Sequence, residues 1–241
     1  NDLSSPNDTA ASVLDGGALV VCYSPALKGA TAGAQRLAVT LNGQQYTPSL
    51  TFGTYLLPNV EWISPTSGPV GGATLLHVCG AHLGGGSDYR CRFGNTTVRA
   101  RGGNGGVSMN CRSPAGAAGL LGVRISLNGQ QYAPPLSYEF YGGLTVRPHA
   151  VCPTTGPNAG DTVVVVSVGL AFGLGGGSKY ECSFGAAGKV QGTYSPIRRT
   201  LTCVAPSTSA PRGPQPFALS LNGQQFDPST VTYAFFGHPA T

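Results

Sequence analysis

The string Leu-Asn-Gly-Gln-Gln followed by an aromatic residue runs from Leu127 to Tyr132, and it also occupies Leu41 to Tyr46 and Leu221 to Phe226. The copies start 86 and 94 residues apart. That spacing exceeds most solenoid repeats and suits a small sandwich domain. A second marker precedes each copy: Cys22 to Pro25 reads CYSP, Cys111 to Pro114 reads CRSP, and Cys203 to Pro206 reads CVAP. PTSGP at Pro65 to Pro69 and PTTGP at Pro153 to Pro157 open two of the units. GGGSxYxCxFG runs from Gly84 to Gly94 and again from Gly175 to Gly185. Four markers in one order divide the chain into 1–57, the back part of a unit whose opening half is missing, and two complete units, 58–143 and 144–241. Each unit ends in an aromatic-rich strand, as in Leu136 to Tyr141 and Val231 to Phe236.

The middle unit reads as seven short strands: Val60 to Ile63, Thr74 to Cys79, Asp88 to Phe93, Thr96 to Ala100, Val107 to Cys111, Leu121 to Asn128 and Tyr138 to Tyr141. Gly, Pro and Asn turns punctuate them, which describes an all-β sandwich. In Arg124-Ile125-Ser126-Leu127, period-two alternation sends Ile125 and Leu127 to one face and leaves Arg124 and Ser126 on the other. Asn128-Gly129 then supplies the positive-φ pair of a tight type I′ hairpin, so the NGQQ element reads as turn geometry and not as a binding motif. The short joins at Leu57-Pro58-Asn59 and Gly142-Gly143-Leu144 predict a rod with limited bending.

Composition supports this class. The 241 residues include 37 Gly and 19 Pro, which helix interiors tolerate poorly. Only 10% of residues are charged, and 41% are hydrophobic. The net charge of +5 is dispersed, without the basic, aromatic-interleaved groove of a nucleic-acid binder. The longest apolar run, Thr162 to Val168, is too short to span a bilayer and suits a buried strand, so no membrane insertion by this segment is expected.

Seven cysteines sharpen the reading. Cys91 and Cys111 hold in the middle unit the places that Cys182 and Cys203 hold in the last. If the strands bearing each pair lie side by side or face each other, both pairs fall within disulfide reach; the alternative is buried thiols. Cys22 matches Cys111 and Cys203, and its partner would precede Asn1. Cys79 and Cys152 have no counterparts, and three fates are open to them: a bridge between units, a bridge between chains, or free thiols.

Chemistry-bearing constellations are sparse. His77, Cys79, His82, Cys91 and Cys111 could ligate zinc on paper, but the paired close Cys spacings of zinc sites are missing, so no metal and no cofactor is expected. His77, His82, His149 and His238 read as surface or edge residues. There is no GxSxG, HExxH or Walker loop, and the glycine-rich loops precede strands where a phosphate site needs a helix N-terminus, so no enzymatic activity is expected. Two sequons, Asn7-Asp8-Thr9 and Asn95-Thr96-Thr97, are glycosylation candidates, Asn95 in a turn between strands.

Taken together, Ile63 to Pro69 with Gly71-Gly72, Tyr89 to Gly94, Cys111 to Pro114 and the LNGQQY-to-YEFY ending resemble the IPT/TIG family, immunoglobulin-like modules shared by plexins, related surface receptors and some transcription factors. The last unit matches at Pro153 to Pro157, Tyr180 to Gly185, Cys203 to Pro206 and LNGQQF. The Gly- and Ala-rich wording is also similar to green-algal surface and ciliary-appendage proteins. The family resemblance implies tandem immunoglobulin-like (E-set) β-sandwiches that are extracellular, cysteine-bonded and engaged in adhesion or assembly. The Arg-rich recognition loop of the DNA-binding relatives has no counterpart here, and no nucleic-acid partner is expected. The function expected is a structural or adhesive rod segment of a secreted or cell-surface protein. Its partners would be further domains of the same polypeptide and other copies of it. The alternative is a receptor ectodomain recognising a protein or glycan ligand.

Overall fold

The computed structural model describes residues 8–25, 32–143, 146, 150–167, 176–209, 213–227 and 229–237. It divides into two compact units, residues 1–56 and 57–241. The first contains two hairpins. Strands β1 (Ala11–Leu14) and β2 (Leu19–Cys22) pair antiparallel, as do β3 (Gly33–Leu37) and β4 (Leu50–Thr54). None of its described residues is buried, and Val13, Leu50 and Phe52 expose apolar side chains.

The second unit holds two curled eight-stranded sheets. The first comprises β5 (Asn59–Ser64), β6 (Ser67–Pro69), β7 (Leu75–Ala81), β8 (Arg90–Phe93), β9 (Thr96–Gly102), β10 (Ser108–Arg112), β11 (Gly119–Ser126) and β12 (Leu136–Tyr141). Its order is β5-β7-β10-β9-β8-β11-β12-β6, antiparallel except for the β12–β6 pair. Strand β9 pairs with β8 through Thr96 to Arg99 and with β10 through Ala100 to Gly102, so it carries the sheet around the corner of the sandwich. The second sheet comprises β13 (Val151–Cys152), β14 (Thr155–Pro157), β15 (Val163–Ser167), β16 (Glu181–Phe184), β17 (Lys189–Ser195), β18 (Thr200–Val204), β19 (Gly213–Ser220) and β20 (Thr232–Phe236). Its order, β13-β15-β18-β17-β16-β19-β20-β14, repeats that of the first.

Alternation drives both cores. On β7, Leu76 and Val78 are fully buried while His77 is exposed; on β15, Val164 and Val166 are buried and Val163 and Ser167 are not. Edge-to-face clusters of Phe93, Tyr138 and Phe140, and of Phe184, Tyr233 and Phe235, fill the two interiors. Such pairs add ~0.5–1.5 kcal/mol beyond their buried area. All-β immunoglobulin-like sandwiches are what the sequence predicted, but two local readings need correction. Ser126, on the face opposite Ile125 and Leu127, is buried as well, with its hydroxyl 3.2 Å from Asn128 Oδ1. Ser67–Pro69 forms an eighth strand that its Pro and Gly content concealed. The NGQQ turn is not type I′: only the glycine, Gly129 at φ 75° or Gly223 at φ 73°, takes left-handed backbone.

Candidate functional site: the junction between the two sandwiches

The NGQQ turn has one local construction in all three places. The Asn side-chain oxygen accepts hydrogen bonds from the two following Gln amides: Gln44 and Gln45 onto Asn42, Gln130 and Gln131 onto Asn128, Gln224 and Gln225 onto Asn222, all at 3.0–3.1 Å. Asn is suited to this because its short amide can accept from main-chain N–H groups two and three residues on. Its amide nitrogen in turn donates to the second Gln side chain, at 2.5 Å for Asn128 and Gln131 and 2.6 Å for Asn222 and Gln225.

In the last sandwich this turn makes a second set of bonds, to the middle sandwich. Gln224 Nε2 donates to the Leu75 carbonyl at 2.8 Å, and Gln224 Oε1 accepts from the Leu75 amide at 2.9 Å. The Gln amide thus pairs with both main-chain groups of one residue, as the opposite residue of a neighbouring strand would. Asn222 Nδ2 donates to Thr74 Oγ1 at 3.2 Å and lies 3.4 Å from the Ser67 carbonyl, while Thr74 Oγ1 donates to Gln225 Oε1 at 3.1 Å. Ser67 Oγ donates to Ser178 Oγ at 3.0 Å. Around this polar patch, Tyr141 at the end of β12 packs into the core of the last sandwich with Val146 and Val151. Gly176 lies against Glu139, where a β-carbon would stand 2.6 Å from its carboxylate. Burial raises the Tyr141 phenol well above the ordinary tyrosine range, with Tyr138 adding to it. Tyr180 is raised as well, mainly by burial, with Tyr194 and Glu139 contributing and a Gly177 backbone hydrogen bond opposing.

The floor under Ser67 and Thr74 is shaped by a glycine. A β-carbon at Gly68 would stand 2.2 Å from the Tyr138 hydroxyl and 2.3 Å from Thr74 Oγ1. Gly156 repeats this against Tyr233 and Thr162, at 2.0 and 2.5 Å. A flanking ion pair is repeated with its charges exchanged. Arg90 binds Asp88 at 2.7 Å in the middle sandwich, and Lys179 binds Glu181 at 2.8 Å at the matching positions of the last. Both pairs are partly exposed and contribute little to stability.

Cys91 on β8 and Cys111 on β10 flank β9 and are bonded, with Cα atoms 6.4 Å apart; Cys182 on β16 and Cys203 on β18 repeat this across β17 at 6.3 Å. Cys22, Cys79 and Cys152 are free thiols, Cys22 and Cys152 exposed. Within this chain Cys79 and Cys152 are not bonded to each other. Cys79 pairs with Ser108 four residues beyond the docked Leu75, toward the far end of the middle sandwich. Cys152 pairs with Val165, close to the end of the last sandwich that faces away from the junction. Asn95 is exposed in the turn between β8 and β9, whereas Asn7, His149 and His238 lie outside the described residues. His77 and His82 are exposed. Trp62, on β5 opposite Cys79, is half-exposed at 50%. Among the described residues no group of three His, Cys, Asp or Glu side chains could hold a metal ion, and no helix is long and apolar enough to cross a membrane. Sequence reasoning missed Gln224, Asn222, Ser67 and Thr74 as contact residues. Their only signal was that NGQQ repeats more exactly than a turn alone requires.

Comparison with known proteins agrees with this architecture. Residues 58–140 match the IPT/TIG domain model. The chain is 28% identical to mouse (Mus musculus) Plexin-A2 over 203 residues, covering 79% of this chain and 10% of that protein. It is 27% identical to human (Homo sapiens) Plexin-A2 over 202 residues, covering 78% and 10%. The chain therefore spans about a tenth of the length of the curated relatives it matches. Among solved structures, the full extracellular region of plexin A4 superposes with a TM-score of 0.53 at 16% identity, covering 95% of this chain and 21% of that one, a likeness of fold.

Proposed function

We propose that this chain, which carries an IPT/TIG domain within a tandem and is a non-catalytic, extracellular or cell-surface module for adhesion and protein interaction, is part of a receptor-type ectodomain whose clamped sandwiches present a recognition surface to a protein or glycan ligand. The observation that carries this is the junction. Six inter-sandwich hydrogen bonds among the described residues and the inserted Tyr141 hold the two sandwiches in one arrangement, so that loops on both can meet a ligand together. Preorganisation of this kind reduces the ordering cost of binding. The division into 1–57, 58–143 and 144–241 belongs to the same reading, and the two eight-stranded sheets support it. Glycosylation at Asn95, which lies in an exposed turn, is part of the same proposal.

Fluorescently labelled full chain added to intact cells tests the proposal. Saturable staining that excess unlabelled chain displaces is the expected result. Staining that neither saturates nor is competed would overturn it in favour of the second reading, a rod segment that only spaces other domains. The same junction favours that reading, since stiffness is also what a spacer needs.

A further inference from the structure

The basic residues of the middle sandwich are all arginine: Arg90, Arg92, Arg99, Arg101, Arg112 and Arg124. Scattered in sequence, they gather in space. On β8 the alternation buries Cys91 and Phe93 and turns Arg90 and Arg92 outward. Arg99 on β9 stands opposite Arg90, and Arg124 on β11 stands opposite Arg92. These four form a diagonal across three neighbouring strands, about 12 Å from Arg99 to Arg124 at ordinary strand spacing and rise. The positions left between them are small, Thr97 opposite Arg92 and Ser126 opposite Arg90. Arg101 and Arg112 continue the band around the corner where β9 leaves β8 for β10. Arg101 faces Asn110, and Arg112 follows on the same face of β10.

The last sandwich shows that the fold does not ask for these charges. Its matching positions, fixed by the strand registers, are Glu181, Ser183, Gln191, Thr193, Val204 and Ala218. Nor do the arginines neutralise one another's surroundings. Among the described residues only Arg90 of the six has a carboxylate partner, Asp88, and it is bound through Nε rather than the terminal nitrogens. Arg92 lies over the Tyr132 ring at 4.1 Å, which orients the guanidinium plane without using its N–H groups. Arg112 Nη1 donates to the Ala73 carbonyl at 3.1 Å, and Arg99 and Arg101 are exposed. Two of the cross-strand pairs, Arg90 with Arg99 and Arg92 with Arg124, set like charges opposite each other, an arrangement that destabilises a sheet. A bound polyanion would relieve that repulsion.

We infer that this arginine face binds a sulfated polysaccharide, whose sulfates and carboxylates lie along the diagonal. The guanidinium fork takes oxyanions two oxygens at a time, where an ammonium acts as a point charge. An open sheet face with its charges in line suits an extended polyanion. Protein partners and single-stranded nucleic acid fit it less well, because they call for aromatic anchors or stacking platforms. Tyr132, the aromatic side chain beside the diagonal, is covered by Arg92. Sulfated polysaccharides are also polyanions of the extracellular setting. The inference deepens the ligand recognition proposed above by naming a glycan class for it, and rests on that reading.

Surface plasmon resonance of the full chain over immobilised heparin, at several salt concentrations, tests it. Saturable binding is expected, weakening as salt rises and counterions return to the polymer. Arg92→Gln/Arg99→Gln/Arg124→Gln chain should bind about tenfold more weakly, as loss of three surface charge contacts implies, and its salt slope should fall by about two. Arg99→Gln alone should weaken binding about twofold. Arg36→Gln/Arg198→Gln/Arg199→Gln chain loses equal charge at exposed sites elsewhere and should stay within about twofold of the parent. Unchanged melting temperatures verify the fold of each variant. Absence of binding to heparin would overturn the inference. So would equal weakening by the two triple variants, or equal or tighter binding to desulfated heparin, polyglutamate or single-stranded DNA. Failure on heparin with saturable cell staining strikes the glycan class alone; heparin binding without saturable cell staining strikes the receptor reading alone.

Discussion

Asp227 Oδ1 accepts a hydrogen bond from the Leu219 amide at 2.5 Å, tying the segment after the third NGQQ turn to the strand before it, and the residue is 8% exposed. Burial raises its pKa above the ordinary 3.8, although hydrogen bonds from the Leu219 and Val146 amides oppose the shift. A carboxyl whose folded pKa is raised stabilises the fold most below its unfolded pKa, and that contribution is lost as pH rises through the raised folded value. Asp227→Asn should therefore flatten the fall in stability above about pH 4, measured by denaturant titration across pH. An unchanged pH profile would refute this.

The two NGQQ turns of the second unit should respond unequally to the same change. Asn222→Ala removes the turn-forming acceptor and the buried inter-sandwich bonds, and costs about 2–3 kcal/mol. Asn128→Ala removes only the turn, and costs about 1 kcal/mol. Equal losses in thermal or chemical melts would mean that the junction contributes nothing to stability.

Gly156→Ala pushes a methyl group into the Tyr233 hydroxyl and Thr162. Overpacking of this kind costs about 1–3 kcal/mol. Gly142→Ala, where a β-carbon meets nothing within 4 Å, is the control and should leave the melting temperature unchanged.

Replacing Cys182 and Cys203 together by Ala opens a crosslink spanning 21 residues. Loop closure predicts a loss of about 3 kcal/mol, and the Cys91–Cys111 pair, spanning 20, should behave alike. Differential scanning calorimetry of each double variant measures both.

Much of the fold could be read directly because its causes are local. Period-two burial on β7 and β15, Gly and Pro punctuation and a repeated aromatic strand each announce a sandwich within a few residues of sequence. Ser67–Pro69 escaped because a strand of Ser, Gly and Pro has no β pattern, and it exists only through parallel pairing with Glu139 to Tyr141. The role of Gln224 escaped for a similar reason. Its partner, Leu75, lies 149 residues away, and no local rule distinguishes it from Gln130, which has the same neighbours and a different fate. Asn128 and Gly129 could be recognised as a turn from composition, but the turn type depended on a side chain replacing the main chain as acceptor.

The crosslinks over β9 and β17 bear on how the chain would carry tension. A pull between the two ends of a sandwich passes through sulfur and bypasses the 20 or 21 residues enclosed by each bridge, so about 70 Å of chain per sandwich cannot be drawn out while the bridge is intact. The amide pairing at Leu75 has no such reserve. Within the second unit, load should therefore part the junction before it unravels the segments enclosed by the bridges, letting one sandwich swing away from the next while both keep their shape.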